Sequence, residues 1–380
     1  MNIIDMHCDT LYQIHEKRAR GLVSGLNGDD SLQVALPKLV QGDYLLQNMA
    51  VFVDMKEAKE RFRLSESSGG PASGMGRQSD TQDGKGKDTS AALGTDGIAC
   101  VQKNDAPYRF ALELVHIFQE EIAANKEAIG AVTSFAELQK NEQEGRISAL
   151  LTLEEGGICL GETEKLREFY RYGARMMTLT WNYENEIGYP ASMQPEGSRG
   201  YRPNEVRTYG LKETGIRFVE EMEQLGMIVD VSHLSDDGFF DVCEHARKPF
   251  VASHSNARAL CAHRRNLTDE MLRMLGERGG VAGLNLYPDF VIARWEDRVE
   301  QDTRELLEYL ARHAIHMMDM GGSACVGLGS DFDGFHGASN PKDASRIQDL
   351  AWVLHRSHIS DDRIDGILYQ NVYRLYKELL

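Results

Sequence analysis

The chain has 380 residues, of which 42% are hydrophobic, so it can form a large buried core. No apolar run reaches the roughly 18 residues that a membrane-spanning helix needs, which excludes such a helix. The net charge of −17, from 59 acidic and 42 basic residues, argues against nucleic acid and anionic membranes as partners, because both require a positively charged protein surface.

Nine short segments rich in apolar residues are predicted strands. In chain order they are residues 2–7, 47–53, 128–133, 148–153, 174–180, 226–232, 249–253, 280–287 and 324–329. Helical patterns separate them: from residue 105 onward, Phe110, Leu114 and Phe118 recur at intervals of four. A second helix contains Phe218 and Met222, and a helical tail covers residues 361–380. Strands that alternate with helices in this way are typical of parallel sheets.

This alternation predicts an α/β fold, which we interpret as a single (β/α)8 TIM-type barrel spanning residues 1–380 as one domain. An open doubly wound sheet is the alternative, but no G-x-G-x-x-G motif follows any predicted strand.

Residues 65–90 are rich in Gly and Ser and nearly devoid of large apolar side chains, which predicts a flexible loop insertion. Its place after the second strand makes it either a lid at one face of the barrel or a dispensable insertion.

The N-terminal residues and the cysteines bear on the compartment. Residues 1–7 contain neither the basic nor the apolar segment of a secretory signal. The six cysteines are scattered without a C-x-x-C pair, which favours reduced thiols over a disulfide framework or a zinc–thiolate cluster. We therefore expect a cytoplasmic protein.

Residues that can bind metal follow several of the predicted strands. In a parallel barrel the carboxyl ends of all strands meet at one face, where active sites are built. We therefore expect side chains that are distant in the sequence to form a binuclear metal site at this face. The six residues are His7, Asp9, Glu155, His233, His254 and Asp331.

The spacing of these residues supports a metal site. His7 and Asp9 are two positions apart, so on an extended segment they point to the same side, and imidazole with carboxylate is a common zinc ligand pair. Glu155 precedes two glycines, and its carboxylate could bridge two cations, although the segment alone also fits a solvated acidic turn. His233 and His254 each end a Ser-His pair, 21 residues apart, which is the length of one βα unit and predicts adjacent strands.

Two residues are candidates for handling a substrate. Asp331 lies in the Gly-Ser-Asp-Phe-Asp-Gly segment after the last strand, where an acid could orient a water molecule or exchange protons with it. The other is one of two adjacent arginines, Arg264 or Arg265, which follow His254 by several turns' worth of sequence. An arginine above an acidic metal site suits a substrate carboxylate, which it can bind through two parallel hydrogen bonds; a surface salt bridge is the alternative.

Together these segments resemble the membrane (renal) dipeptidase family, zinc peptidases of the amidohydrolase superfamily. The matching stretches run in family order: residues 5–9, 155–157, 177–180, 229–233, 253–255, 264–266 and 329–334. The resemblance implies two zinc ions per chain, although other first-row divalent metals suit the same ligands. By this resemblance His7 and Asp9 bind one ion, His233 and His254 bind the other, and Glu155 bridges them.

The function that this resemblance implies is zinc-dependent hydrolysis of dipeptides, including those with a C-terminal D-residue, by a hydroxide shared between the two ions. Arg265 would receive the C-terminal carboxylate of the dipeptide. Asp331 would handle the free amine and the proton of the attacking water. A homodimer is expected on the same basis.

One position departs from the family pattern. Trp181 follows Thr-Leu-Thr where the family often carries a histidine that stabilises the oxyanion. Tryptophan can only donate its indole N–H, and the loss of one oxyanion donor typically costs about 10²–10³ in rate. Two alternatives stay open: another metal-dependent amidohydrolase that acts on an N-acyl amino acid, a cyclic amide or a lactone, and a non-catalytic dipeptide-binding protein.

Overall fold

The computed structural model describes residues 2–67, 105–195, 197, 200–203, 205–298 and 301–380. Of the predicted insertion, residues 65–67 belong to a helix, and residues 68–90 lie outside the described residues. None of the helices in the described ranges combines the length and the apolar character needed to cross a membrane.

Parallel strands form one sheet, and eight of them close into a barrel. In chain order the strands of the described residues are β1 (Ile3–Asp5), β2 (Tyr44–Phe52), β3 (Ile129–Ala131), β4 (Ile147–Glu154), β5 (Met176–Thr178), β6 (Ile228–Asp230), β7 (Val251–Ala252), β8 (Val281–Leu284) and β9 (Val326–Leu328). Pairing of β2 with both β1 and β4 closes the ring, and β3 lies outside it. β3 pairs with the first residues of β4, whereas β5 pairs with its last residues. The predicted barrel and all nine predicted strands are confirmed.

Helices surround the ring. They are α1 (Thr10–Ala19), α2 (Leu36–Gln41), α3 (Met55–Ser67), α4 (Ala106–Ala124), α5 (Phe135–Gln143), α6 (Thr163–Arg171), α7 (Glu213–Leu225), α8 (Asp236–His245), α9 (Asp269–Glu277), α10 (Pro288–Val291), α11 (Thr303–Gly321), α12 (Gln348–Arg356), α13 (Asp361–Asp365) and α14 (Asn371–Leu379). The helix predicted from residue 105 is α4, which buries Leu114 and Phe118. The predicted tail forms α13, a π-helical turn and α14.

Apolar side chains form two layers on opposite sides of the strands. Along β4, Leu151 and Leu153 join the layer between the strands and the surrounding helices, whereas Leu150 faces the barrel interior. The interior layer draws mainly on residues near the starts of strands, together with Val372 and Tyr376 of α14. α14 therefore closes the end of the barrel where the strands begin, and the opposite end is left for polar side chains.

The hydroxyl of Tyr376 forms a paired contact inside the barrel. It accepts from Nδ2 of Asn48 at 2.8 Å and donates to Oδ1 of the same amide at 2.9 Å, and both residues are buried. The substitution Tyr376→Phe leaves a buried amide oxygen without its donor, so we expect a loss of about 1–3 kcal/mol in the free energy of unfolding, measured by urea denaturation. Tyr373→Phe is the matched control, because the hydroxyl of Tyr373 donates to Glu142 at an exposed position, where water can take its place. Equal losses in the two variants would contradict this account.

Candidate active site

The carboxylate of Glu154 lies at the centre of a group of imidazoles. Its Oε2 is 3.2 Å from Nε2 of His7, and its Oε1 is 3.1 Å from Nε2 of His233 and 3.7 Å from Nε2 of His254. His7 follows β1, Glu154 ends β4, and the other two histidines follow β6 and β7, which pair with each other as predicted. Closure of the barrel thus brings these four side chains together.

Two further acids border this group on the side of His7. Nε2 of His7 is 3.5 Å from Oδ2 of Asp9 and 3.9 Å from Oδ1 of Asp331. Atoms of His7, Asp9 and Asp331 lie close enough to share one cation, and so do atoms of His7, Glu154 and His254. The structure therefore brings together every predicted ligand except Glu155.

The expected position of Glu155 among the histidines is wrong, and Glu154 lies there instead. At Glu155 the backbone turns sharply, with φ of 99°. Its carboxylate points away from the histidines and accepts hydrogen bonds from the backbone N–H groups of Gly157 and Trp181 and from the side chain of Asn185. Glu155 thereby holds the turn that follows β4, whereas Glu154, the last residue of the strand, still faces the interior of the barrel.

The two acids of the Gly-Ser-Asp-Phe-Asp-Gly segment have different surroundings. Asp333 accepts hydrogen bonds from the hydroxyl of Thr10 and from the backbone N–H groups of Gln33 and Val34, so it ties the turn to neighbouring segments. Asp331 faces His7 and accepts one hydrogen bond from Nδ2 of Asn285 at 2.9 Å. Of the two carboxylates, that of Asp331 lies beside the histidines, whereas that of Asp333 is taken up by the turn.

Burial sets the electrostatics of the site. It raises the pKa of Glu154 to about 8, with repulsion from Asp9 as a second cause, and it raises the pKa of Asp331 to about 6. Burial, together with nearby positive charge, lowers the pKa of His233 and His254, so both imidazoles are neutral near pH 7. The site contains more acidic groups than it can ionise together unless a cation compensates them.

The unsatisfied atoms of the site fit a divalent metal. Nε2 of His7, Oδ1 of Asp9 and Oε2 of Glu154 are buried without a hydrogen-bond partner in the described part of the chain. Nε2 of His233 and Nε2 of His254 are 3.0 Å apart. Neutral imidazole nitrogens and carboxylate oxygens are the usual protein ligands of zinc. An orphaned set of such atoms is expected where a metal ion completes the bonding.

A cleft of about 370 Å³ leads to these residues. Asp9, Glu154, His233 and Asp331 line its floor. Its walls are largely aromatic and consist of Tyr12, Phe52, Trp181, Tyr287, Phe290 and Phe335. Trp181 packs edge-on against Phe52, with ring centres 4.9 Å apart, and its ring centre is 6.2 Å from that of His233. These aromatic residues come from separate helices, strands and loops, and no short motif in the sequence marks them.

Arg265 is buried beside the cleft rather than in its lining. Its guanidinium donates to the hydroxyl of Ser255 and the carbonyl of His254, each at 3.3 Å, and lies 5.5 Å from the ring of Phe290. Its Nε has no hydrogen-bond partner among the described residues, and burial lowers its pKa to about 10. The alternative of a surface salt bridge is therefore wrong.

A closed parallel barrel here gathers imidazoles and carboxylates at its strand ends, an arrangement that suits a metal-dependent hydrolase. Residues 1–379 match the family model of the membrane dipeptidases, peptidase family M19. The chain belongs to this family and is a peptide hydrolase, a metallo-dipeptidase by family.

Individual proteins are similar to this chain over most of its length. A protein encoded in the pqqA 5′ region of Klebsiella pneumoniae is 32% identical over 263 residues, which cover 69% of this chain and 93% of that protein. Dipeptidase aclJ of Aspergillus oryzae is 37% identical over 232 residues, which cover 61% of this chain and about half, 51%, of that relative. A metallopeptidase of Rhodobacter sphaeroides, liganded with a phosphinate mimic of the dipeptide L-Ala-D-Ala, has the same fold: the TM-score is 0.79 at 23% identity, over 100% of this chain and 99% of that one.

Adjacent glutamates test the geometry of the metal site. Glu154→Gln should lower metal affinity by more than the 10–100-fold that loss of an outer hydrogen-bond partner costs, because it removes the central carboxylate. Glu155→Gln should retain the metal and instead lower the melting temperature, because it disturbs only the turn after β4. Metal content by mass spectrometry and chelator competition measure the difference. Metal loss in Glu155→Gln alone would restore the original assignment.

Proposed function

We propose that this protein is a zinc-dependent dipeptidase with two metal ions per chain. The observation that carries the proposal is the position of Glu154, whose two carboxylate oxygens face His7 on one side and His233 and His254 on the other. A carboxylate so placed suits a bridge between two cations, which two-metal hydrolases hold about 3.5–4 Å apart. The dipeptide mimic bound to the Rhodobacter sphaeroides enzyme and the name of the Aspergillus oryzae relative support dipeptides, including those with a C-terminal D-residue, as substrates.

In this proposal His7 and Asp9 hold one ion, His233 and His254 hold the other, and Glu154 contacts both. Bound divalent cations would supply a water of lowered pKa and would polarise the carbonyl of the scissile bond. Zinc is the metal that we propose, on the ligand set and the family, while manganese and cobalt accept the same nitrogen and oxygen ligands.

The remaining roles belong to residues of the cleft and its surroundings. Arg265 would bind the C-terminal carboxylate of the dipeptide, since it is a buried cation with an unused N–H beside the metal ligands. Asp331 would accept the proton of the attacking water and pass it to the leaving amine, because its carboxylate lies beside the metal ligand His7 and accepts a hydrogen bond from Asn285. Recognition of both ends of a substrate at one site restricts its length to two residues. A cytoplasmic location and a homodimer remain predictions.

Turnover and metal content, measured on the same sample, test the proposed function. We expect about two metal ions per chain and cleavage of both L-Ala-L-Ala and L-Ala-D-Ala that stops on chelation and returns with zinc. Dipeptide amides should be poor substrates, because they lack the carboxylate that Arg265 would bind. Two metal ions with turnover of N-acyl amino acids or lactones, but not of dipeptides, would favour the alternative amidohydrolase. Tight dipeptide binding without any turnover would favour the binding protein.

The role of Asp331 is tested by the pair Asp331→Asn and Asp333→Asn. Loss of a general acid–base group typically costs about 10²–10⁴ in rate, and we expect a fall in kcat of this size for Asp331→Asn with unchanged metal content. Asp333→Asn should mainly lower thermal stability, because Asp333 holds the turn through Thr10, Gln33 and Val34. If Asp331→Asn loses metal, Asp331 is a ligand and the assignment fails.

A further inference from the structure

A buried hydrogen-bond network lies behind the metal ligands, centred on Asp230 at the end of β6. Oδ1 of Asp230 accepts from the backbone N–H groups of Ser232 and Ser253, both at 2.9 Å. Oδ2 accepts from the hydroxyl groups of Thr178 and Ser253, both at 2.6 Å. These residues are at most 1% exposed, so solvent does not compete for the bonds. Four donors converge on one carboxylate, and each of its two oxygens is fully engaged.

The network fixes which atom donates in the hydrogen bond between Ser253 and His254. Ser253 has a single hydroxyl proton, which it donates to Asp230. Its oxygen is also 2.7 Å from Nδ1 of His254, and in that contact it can only accept. His254 must therefore carry its proton on Nδ1. Its Nε2 then presents a lone pair toward Glu154 and His233.

His233 has the same arrangement with a different partner. Its Nδ1 is 3.2 Å from Oδ1 of Asn182, and an amide oxygen can only accept. Both histidines therefore place unprotonated Nε2 atoms on the same side, 3.0 Å apart. Two lone pairs that face each other at this distance repel, unless a cation lies between or beside them.

We propose that Asp230 acts through Ser253 as a positioning residue, which holds His254 in the Nδ1–H tautomer and so presents Nε2 to the metal. This inference rests on the metal site of the proposed function. Ligating histidines commonly donate their outer N–H to a fixed acceptor, which sets the tautomer and the ring orientation. Here the acceptor is a serine hydroxyl, and the carboxylate behind it decides which way that hydroxyl points.

The substitution Asp230→Asn should reverse the direction of the hydrogen bonds that connect Asp230 through Ser253 to His254. We call this chain of hydrogen bonds the relay. The amide oxygen must remain at the position of Oδ1, because two backbone N–H groups point at it. The NH2 group then occupies the position of Oδ2, where the hydroxyl proton of Thr178 must turn away from it, and it donates to Ser253. The proton of Ser253 turns to Nδ1 of His254 at 2.7 Å, a shorter contact than the 3.2 Å to Oγ of Ser232. That leaves the proton of His254 on Nε2, where it blocks the metal. We expect metal affinity, measured by chelator competition, to fall toward the upper end of the 10–100-fold range of outer-ligand substitutions.

Ser253→Ala separates this mechanism from a merely structural role. It removes the relay without enforcing either tautomer, so we expect a loss near the lower end of the same range. In the double variant Asp230→Asn with Ser253→Ala, affinity should be higher than in Asp230→Asn alone, because nothing then drives the proton to Nε2. Ser148→Ala is the matched control: Ser148 is also fully buried in a strand and hydrogen-bonded, to Asn141, away from the site. It should leave metal affinity unchanged.

Nitrogen-15 NMR of the metal-free protein with labelled histidine gives a direct reading of the tautomer. His254 should be Nδ1–H in the natural protein, Nε2–H in Asp230→Asn and mixed in Ser253→Ala. An unchanged tautomer in the variants, or additive affinity losses in the double variant, would overturn the proposal. If Asp230→Asn does not fold, Ser253→Ala alone decides. These readings need no peptide turnover, so the proposed function can fail while the proton relay stands.

Discussion

Carboxylates that are buried within a few ångströms of one another repel. The end of this barrel where the strands finish contains three, Asp9, Glu154 and Asp331. The imidazole of His7, whose pKa Glu154 and Asp9 raise despite its burial, is the one side chain in contact with all three among the described residues, whereas the two histidines beyond Glu154 are uncharged. Asp230, by contrast, is buried among four hydrogen-bond donors and needs no cation. Asp230 therefore has a structural role, whereas the other three carboxylates suit the binding of a metal ion.

The two faces of the barrel strands have different roles in the fold. The outward face packs apolar residues against helices, and the inward face changes from apolar at the strand starts to polar at the strand ends. Along β4 this change occurs within one face, from Leu150 through Thr152 to Glu154. A metal site can therefore be built at one end of the barrel without loss of the core that supports it. Aromatic side chains, Trp181 among them, line the cleft above it.

The order of the elements could be predicted because a parallel strand covered on both faces leaves a short apolar run with clear ends. The choice between Glu154 and Glu155 depended on where β4 ends, and the two glycines drew attention to the wrong neighbour. The two-residue period would have favoured Glu154, since Thr152 and Glu154 share the one polar face of an otherwise apolar strand. Neither the burial of Arg265 nor the aromatic cleft could be predicted, because both depend on contacts between segments that are far apart in the sequence. No sequence signal shows that β3 lies outside the ring, where it pairs with the first residues of β4 while β5 pairs with the last.

The place of α14 has a consequence for how the chain folds during synthesis. β1, near the N-terminus, lies between β2 and β9, and the interior layer is completed by residues 372–376. The ribosome must have made β9 before β1 has both neighbours, and Tyr376 before the base of the barrel is covered. Until then the apolar inner faces of the early strands lack their final partners, a state that favours aggregation and recruits chaperones.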